Sequence, residues 1–260
     1  MDSADWLRHF TSALTLTHAY VPKADYFFSF NSPSWSLCCE QLFYFSFPFL
    51  MILTKNHKRM LLLWCIFAVI TVAGMSVTPE EYIKAYWYVN PITRFPDFIL
   101  GMLLFPAYSK LKNIHISKQK GSLMEVAVLI LFLAFYLSAS FIPKVYRYSC
   151  YYWLPVALVI LCFSLQKGII SRLLSNRALI IGGEISFSFY LIHLFIILTY
   201  AQWQNQSGIM IPWYISIPLI WVTAITLSWI SYLYFEKPMN RLFKNSFYNK
   251  WNKHSAKAPA

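Results

Sequence analysis

Trp35-Ser36-Leu37-Cys38-Cys39-Glu40-Gln41-Leu42-Phe43-Tyr44-Phe45-Ser46-Phe47-Pro48-Phe49-Leu50 decides the fold. The stretch is apolar and aromatic over the length of a membrane-spanning helix, with one carboxylate set into it. A charge at that depth in lipid costs roughly 2.5–3.5 kcal/mol on the mildest insertion scales, so Glu40 reads as functional by default. What it does depends on which partners the rest of the chain brings to it.

Composition supports a membrane setting. Of the 260 residues, 58% are hydrophobic and 12% are charged, against about 25% charged in an ordinary soluble domain. Aromatic residues make up 19% and suit interfacial anchoring. The net charge of +12 would suggest nucleic acid in a soluble protein. Here the basic residues sit in short loops between apolar runs, where they set topology and meet anionic membrane lipids, so no nucleic-acid partner is expected. The five cysteines show no metal-ligand spacing and read as small apolar residues, so no metal site is expected.

Working outward, apolar segments fall at about 34–53, 60–77, 88–107, 122–142, 149–166, 179–200 and 211–235. Each approaches the roughly 20 residues needed to span a bilayer. Residues 10–21 form a shorter apolar segment, either the stub of a spanning helix or an interfacial helix. Residues 1–5 carry two acids and no basic region, so the start does not read as a signal peptide. The expected fold is an all-α, polytopic membrane helical bundle of about seven full spanning helices plus the short N-terminal apolar segment. Residues 1–260 read as a single membrane domain, with a basic tail over 245–260.

Orientation follows from Lys and Arg. Residues 55–59, 109–120, 166–177 and 237–260 hold sixteen of them; the alternate loops, with Arg94, hold five. The C-terminus is therefore expected in the cytoplasm, and Arg8 is expected on the same side as the sixteen. Loops 22–33, 78–85, 143–148 and 201–209 then face outward.

With that topology, Glu40, Arg94 and His193 each lie about 9–10 Å below the outer end of a different helix. Ser36, Glu40 and Tyr44 share one stripe, as do Arg94, Asp97 and Gly101, and Ser186, Tyr190 and His193. Plainer readings stand beside this one. Glu40 and Arg94 could form a buried ion pair that locks two helices, and Asp97 could pair locally with Arg94. His193 could be a hydrogen-bonded core histidine, and Tyr44 and Tyr190 packing residues. Glu236-Lys237-Pro238 reads as the end of the last helix. On the functional reading, imidazole, carboxylate and guanidinium suit acyl transfer to an alcohol.

Trp35-Ser36-Leu37-Cys38-Cys39-Glu40-Gln41-Leu42-Phe43-Tyr44 with Pro48 resembles the W-S-L-x-x-E-x-x-F-Y signature of the acyltransferase 3 family of integral membrane acyltransferases. Arg94-Phe95-Pro96-Asp97-Phe98-Ile99-Leu100-Gly101-Met102, Ile185-Ser186-Phe187-Ser188-Phe189-Tyr190-Leu191-Ile192-His193 and Phe235-Glu236-Lys237-Pro238 are similar to three further segments of that family, in the same order. The resemblance implies transfer of an acetyl or other short acyl group, with acyl-CoA (acetyl-CoA) as donor, to a hydroxyl of a cell-surface or exported glycan. It implies no bound cofactor and a multi-pass place in the bacterial inner membrane. Glu40, His193 and Arg94 are the expected catalytic residues; Trp35, Ser36, Tyr44, Asp97, Ser186 and Tyr190 are expected to bind substrate.

The family's first two transmembrane helices, the first with an Arg/His motif, have no counterpart here. The resemblance therefore leaves open a truncated gene product, a split protein that needs a separately encoded N-terminal fragment as partner, or an inactive remnant. A non-catalytic transporter or binding protein is the reading from another class. Transporters often carry inverted repeats and helices broken at the midplane; no repeat is visible here.

Overall fold

A computed structural model describes residues 2–53 and 56–245. The expected basic tail beyond residue 245 and Lys55 of the first basic loop lie outside the described residues. The fold is all-α and polytopic, with no strand among the described residues. The chain divides into two compact units, Met1–Asn176 and Arg177–Ala260.

The first unit carries α1 (Ser3–Leu14), α2 (Trp35–Leu53), α3 (His57–Val77), α4 (Phe95–Leu111), α5 (Lys118–Ser138), α6 (Trp153–Ser164) and α7 (Ile169–Leu174). The second carries α8 (Arg177–Ser207) and α9 (Trp213–Ser231). All seven expected apolar segments contain a helix. Among the described residues, five stretches are long and apolar enough to cross a membrane: Ser32–Ile52, His57–Val77, Lys118–Phe141, Arg177–Ser207 and Trp213–Asn245. The two others, α4 and α6, are shorter than the sequence suggested, with 17 and 12 residues.

Proline explains the shortening of α4. The stretch expected at 88–107 is two pieces, wide π-helical turns at Lys84–Val89 and then α4. Pro91 pushes Asn90 out of the helical region, to ψ 126°. The Asn90 side chain then accepts the Ile92 N–H at 2.9 Å, and Pro96 in the first turn restarts the helix. Arg94 is thus the residue just before α4 and not a residue one-quarter of the way along a helix.

The N-terminal segment also differs from expectation. Asp2 caps α1, whose 12 residues reach only about 18 Å. The chain then turns through Leu16, at φ 54°. His9 is buried on α1 and lies 3.8 Å from Asp25 of loop 22–33, and Arg8 shares a pocket with Lys23. Arg8 therefore sits at the same end of the first unit as that loop, not at the end opposite to it as expected. The reason is that α1 folds back before it can cross.

Close packing fixes the rest of this end. A Cβ on Gly74 would come within 2.6 Å of the Trp87 ring, so only glycine lets α3 approach the π-helical turns. The Trp87 indole donates to Thr78 at 2.8 Å. At the far end of α5, buried Glu125 accepts backbone N–H groups of Gly168 (3.0 Å), Ile170 (2.9 Å) and Ser171 (3.3 Å). Ser122 accepts the N–H of Ile169 at 3.1 Å. Together they satisfy the first turn of α7, whose donors have no partner within their own helix. Glu125→Ala should lower stability by at least about 2 kcal/mol, because each hydrogen bond to a charged group contributes about 1.5–3 kcal/mol. Thermal unfolding in mild detergent checks this, with Glu125→Gln falling between wild type and alanine.

Candidate functional site

The break before α4 places Arg94, Asp97 and Gly101 on one wall of a cavity of about 480 Å³ in the first unit. Tyr148, Ser149 and Trp153, leading into α6, form another wall, and Phe132 and Tyr136 of α5 a third. Arg94 Nε lies 3.1 Å from Asp97 Oδ2, and Arg94 Nη1 donates to the Tyr148 carbonyl. Asp97 Oδ1 accepts the Ser149 hydroxyl at 2.9 Å and the Trp153 indole N–H. Both charged side chains are about one-quarter exposed. The Nε contact has ion-pair distance without hydrogen-bond alignment, so Asp97 Oδ2, a buried atom, has no hydrogen-bond partner among the described residues.

The stripe read from the sequence at 94, 97 and 101 therefore lines real space. Two of its anchors, Ser149 and Trp153, were not foreseen. They come from a loop and a helix start more than fifty residues away, and no periodicity within 88–107 points to them.

Glu40 sits five residues into α2, about 7.5 Å along it, and the phenol of Tyr44, one turn on, bonds to it. Its neighbour Cys39 is buried, faces the Val89 carbonyl at 3.7 Å, and lies within electrostatic reach of Glu40, Arg94 and Asp97 alike. No ion pair joins Glu40 to Arg94 among the described residues; Arg94 pairs with Asp97. Trp35 leans on Tyr88 at 4.8 Å, and Tyr88 on Tyr148 at 5.0 Å. This aromatic row joins the start of α2 to the cavity mouth. The Ser36 hydroxyl turns back to the Pro33 carbonyl at 3.2 Å. Phe43 stacks on Phe98 at 4.8 Å and packs α2 against α4.

In the second unit, His193 Nδ1 lies 2.7 Å from the Tyr190 carbonyl and 3.2 Å from that of Phe189. A carbonyl only accepts, so Nδ1 is the donor of these contacts, which leaves Nε2 as the ring nitrogen turned away from the helix backbone. The Tyr190 ring lies 6.0 Å from the imidazole, and the Ser186 hydroxyl donates to the Gly183 carbonyl. The sequence reading missed two other contacts on α8. Buried Ser188 donates to Glu236 at 2.9 Å, and Tyr232 donates to Glu184 at 2.6 Å. Glu184 and Ser188 are one turn apart, a spacing that could have shown a polar seam.

The helix also runs past Glu236-Lys237-Pro238 instead of ending there. Tyr232–Glu236 forms π-helical turns, and this wider winding relieves the clash between Pro238 and the carbonyl four residues earlier.

One further histidine organises the approach to α2. His18 is fully buried, with its ring nitrogens 3.2 Å from the Ser34 hydroxyl and 3.5 Å from the Cys38 sulfur.

These features define an α-helical, multi-pass membrane protein with a polar-mouthed cavity and a carboxylate set into an apolar helix. Residues 3–233 match the acyltransferase domain family, and the chain belongs to it. It is 28% identical over 226 residues to "Acyltransferase MdmB" of Streptomyces mycarofaciens, covering 75% of this chain and 55% of that protein. It is 29% identical over 244 residues to "Putative peptidoglycan O-acetyltransferase YrhL" of Bacillus subtilis (strain 168), covering 86% of this chain and 38% of that protein. The chain thus spans about half the length of the first relative and less of the second. No solved structure matches it.

Burial holds the His18 imidazole below its ordinary pKa of 6.5, opposed by a hydrogen bond to the Ser12 backbone. The unfolded chain binds the proton more readily, so the stability His18 contributes is complete above pH 6.5 and falls as pH drops through that value. Unfolding midpoints followed from about pH 8 to pH 5, where histidine titrates, should decline toward acid, and His18→Gln should flatten that decline.

Proposed function

We propose that this chain carries the acyl-transfer centre of a membrane O-acyltransferase. In this reading it moves an acetyl or other short acyl group from acyl-CoA to a hydroxyl of a cell-surface or exported glycan. The family match across residues 3–233 carries the reading. The names of the two relatives, "Acyltransferase MdmB" and "Putative peptidoglycan O-acetyltransferase YrhL", support the reaction type and a glycan acceptor.

The roles follow from the chemistry of each group. His193, on the second unit, is assigned the general-base role, since a neutral imidazole can take the proton from an acceptor hydroxyl as its oxygen attacks an acyl carbonyl. Arg94, held at the cavity mouth by Asp97 and the Tyr148 carbonyl, offers its remaining N–H groups to the oxyanion that develops on the carbonyl. When the tetrahedral centre collapses, the C–S bond of the thioester breaks and the leaving sulfur takes up the proton that the base removed from the hydroxyl, which regenerates the base. Glu40, one turn from Tyr44 on α2, is assigned as the second charged group of the first unit that supports the reaction. Trp35, Ser36, Tyr44, Asp97, Ser186 and Tyr190 are assigned to substrate binding. The uneven Lys and Arg distribution supports a bacterial inner-membrane protein with a cytoplasmic C-terminus.

Radiolabelled acetyl transfer from acetyl-CoA in membranes carrying the protein tests this. Glu40→Gln, Arg94→Ala and His193→Ala should each reduce the rate by about 100-fold or more, the scale of losing an oxyanion donor or a general base. Membrane insertion of the three variants should be unchanged. Rates at the wild-type level in all three would discard the assignment.

A further inference from the structure

The cavity below Arg94 and Asp97 is larger than a two-carbon group needs. We propose that it holds the hydrocarbon tail of an acyl group longer than acetyl, with the acyl carbonyl at the Arg94–Asp97 end. The proposal rests on the acyltransferase reading and deepens it by naming the donor's chain class.

Polar groups are confined to one end. Arg94, Asp97, Ser149 and the Trp153 indole gather where α4 and α6 begin. Past them the walls are hydrocarbon and aromatic, with Leu100 and Leu104 on α4 and Val156 and Ile160 on α6. From Asp97 to Leu104 is seven residues, about 10 Å along the helix axis. The volume of about 480 Å³ falls in the range of about 300–1,000 Å³ typical of sites for whole small molecules. Tyr136 and Ile160, which line it, are 63% and 53% exposed. The cavity therefore opens through a largely apolar surface, which suits the entry of an apolar chain.

Electrostatics selects the head group. An uncompensated arginine in such a place would favour a phosphate or carboxylate. Here Asp97 lies 3.1 Å from Arg94, and the pair is close to neutral. A neutral ester or thioester carbonyl fits it: the carbonyl oxygen accepts from guanidinium N–H groups and adds no charge to be desolvated. Gly101 supplies a way to fill the space. It lines the cavity, and a Cβ built on it meets nothing within 4 Å. A larger side chain can thus enter the free volume without displacing protein atoms.

Two measurements test the proposal. In the first, the purified protein in detergent is photolabelled with a diazirine-bearing decanoic acid methyl ester, and the labelled peptides are mapped by mass spectrometry. Labelling is expected within 97–104 and 153–160, and lost in both Gly101→Leu and Ala157→Phe, which fill the cavity from facing helices. Labelling elsewhere, or labelling that both variants retain, overturns the proposal. So does labelling that excess dioleoyl phosphatidylcholine removes and octanoyl-CoA does not, since the occupant would then be a membrane lipid tail.

In the second, acetyl-, butanoyl-, hexanoyl- and octanoyl-CoA are compared as donors. Wild type is expected to use hexanoyl-CoA at least as well as acetyl-CoA. Gly101→Leu should shift the kcat/KM ratio toward acetyl by about tenfold or more, the scale of small changes in an apolar pocket. Transfer of acetyl alone with no label in the cavity overturns the tail site and leaves the acyltransferase reading standing. Label in the cavity with no turnover of any acyl-CoA supports the tail site and overturns the acyl-CoA donor.

Discussion

The first unit depends on the pair formed by Arg94 and Asp97. Neither charge would be tolerated alone in an apolar bundle. Each is satisfied by groups from a different part of the chain: Arg94 by the Tyr148 carbonyl, Asp97 by the Ser149 hydroxyl and the Trp153 indole. The pair therefore ties α4 to the start of α6. It also requires the chain to break at Asn90–Pro91, because a continuous helix through 88–107 would carry Arg94 away from the Tyr148 carbonyl. The shortness of α4 and α6 and the presence of a cavity are consequences of the same constraint.

The apolar segments were legible from composition and length alone, since a bilayer imposes one dimension on every crossing. The stripe of Arg94, Asp97 and Gly101 was legible as well, because helical periodicity puts such positions on one face wherever the helix starts. Helix starts were less legible. Hydropathy treats residues 88–107 as uniform, whereas Pro91 and Pro96 act on single backbone angles that a window average smooths away. Pro48, Pro106 and Pro218, each inside a helix that continues past it, show why proline alone could not be used to place breaks.

Glu125, Ser149 and His18 were not legible for a different reason. Each gains its meaning from a partner distant in sequence: Glu125 from the first turn of α7, Ser149 from Asp97, His18 from Ser34 and Cys38. In the sequence, Glu125 is an unexplained acid within an apolar run. In the structure it is the acceptor for three backbone donors at the start of a short helix. The requirement for glycine at 168 follows, since a Cβ there would stand 2.1 Å from a Glu125 oxygen. The Glu236 reading failed by the opposite route. A local rule, that proline ends helices, was applied where π-helical winding makes room for the ring.

In the proposed role, a neutral ion pair would be a modest catalyst at rest and a better one during reaction. In the ground state Asp97 offsets the Arg94 charge, so a neutral carbonyl would be held by hydrogen bonds without strong electrostatic preference. As such a carbonyl oxygen gained negative charge, the attraction to Arg94 would grow. Asp97, fixed on its other oxygen by Ser149 and Trp153, is not free to swing toward the reacting centre and oppose that charge. The stabilisation then rises most where charge develops, which is the condition for lowering a barrier instead of merely tightening binding. The same fixed geometry explains why so much of the unit converges on this pair. The gain depends on Arg94 staying aimed at the cavity, and only contacts from separate elements can hold it there.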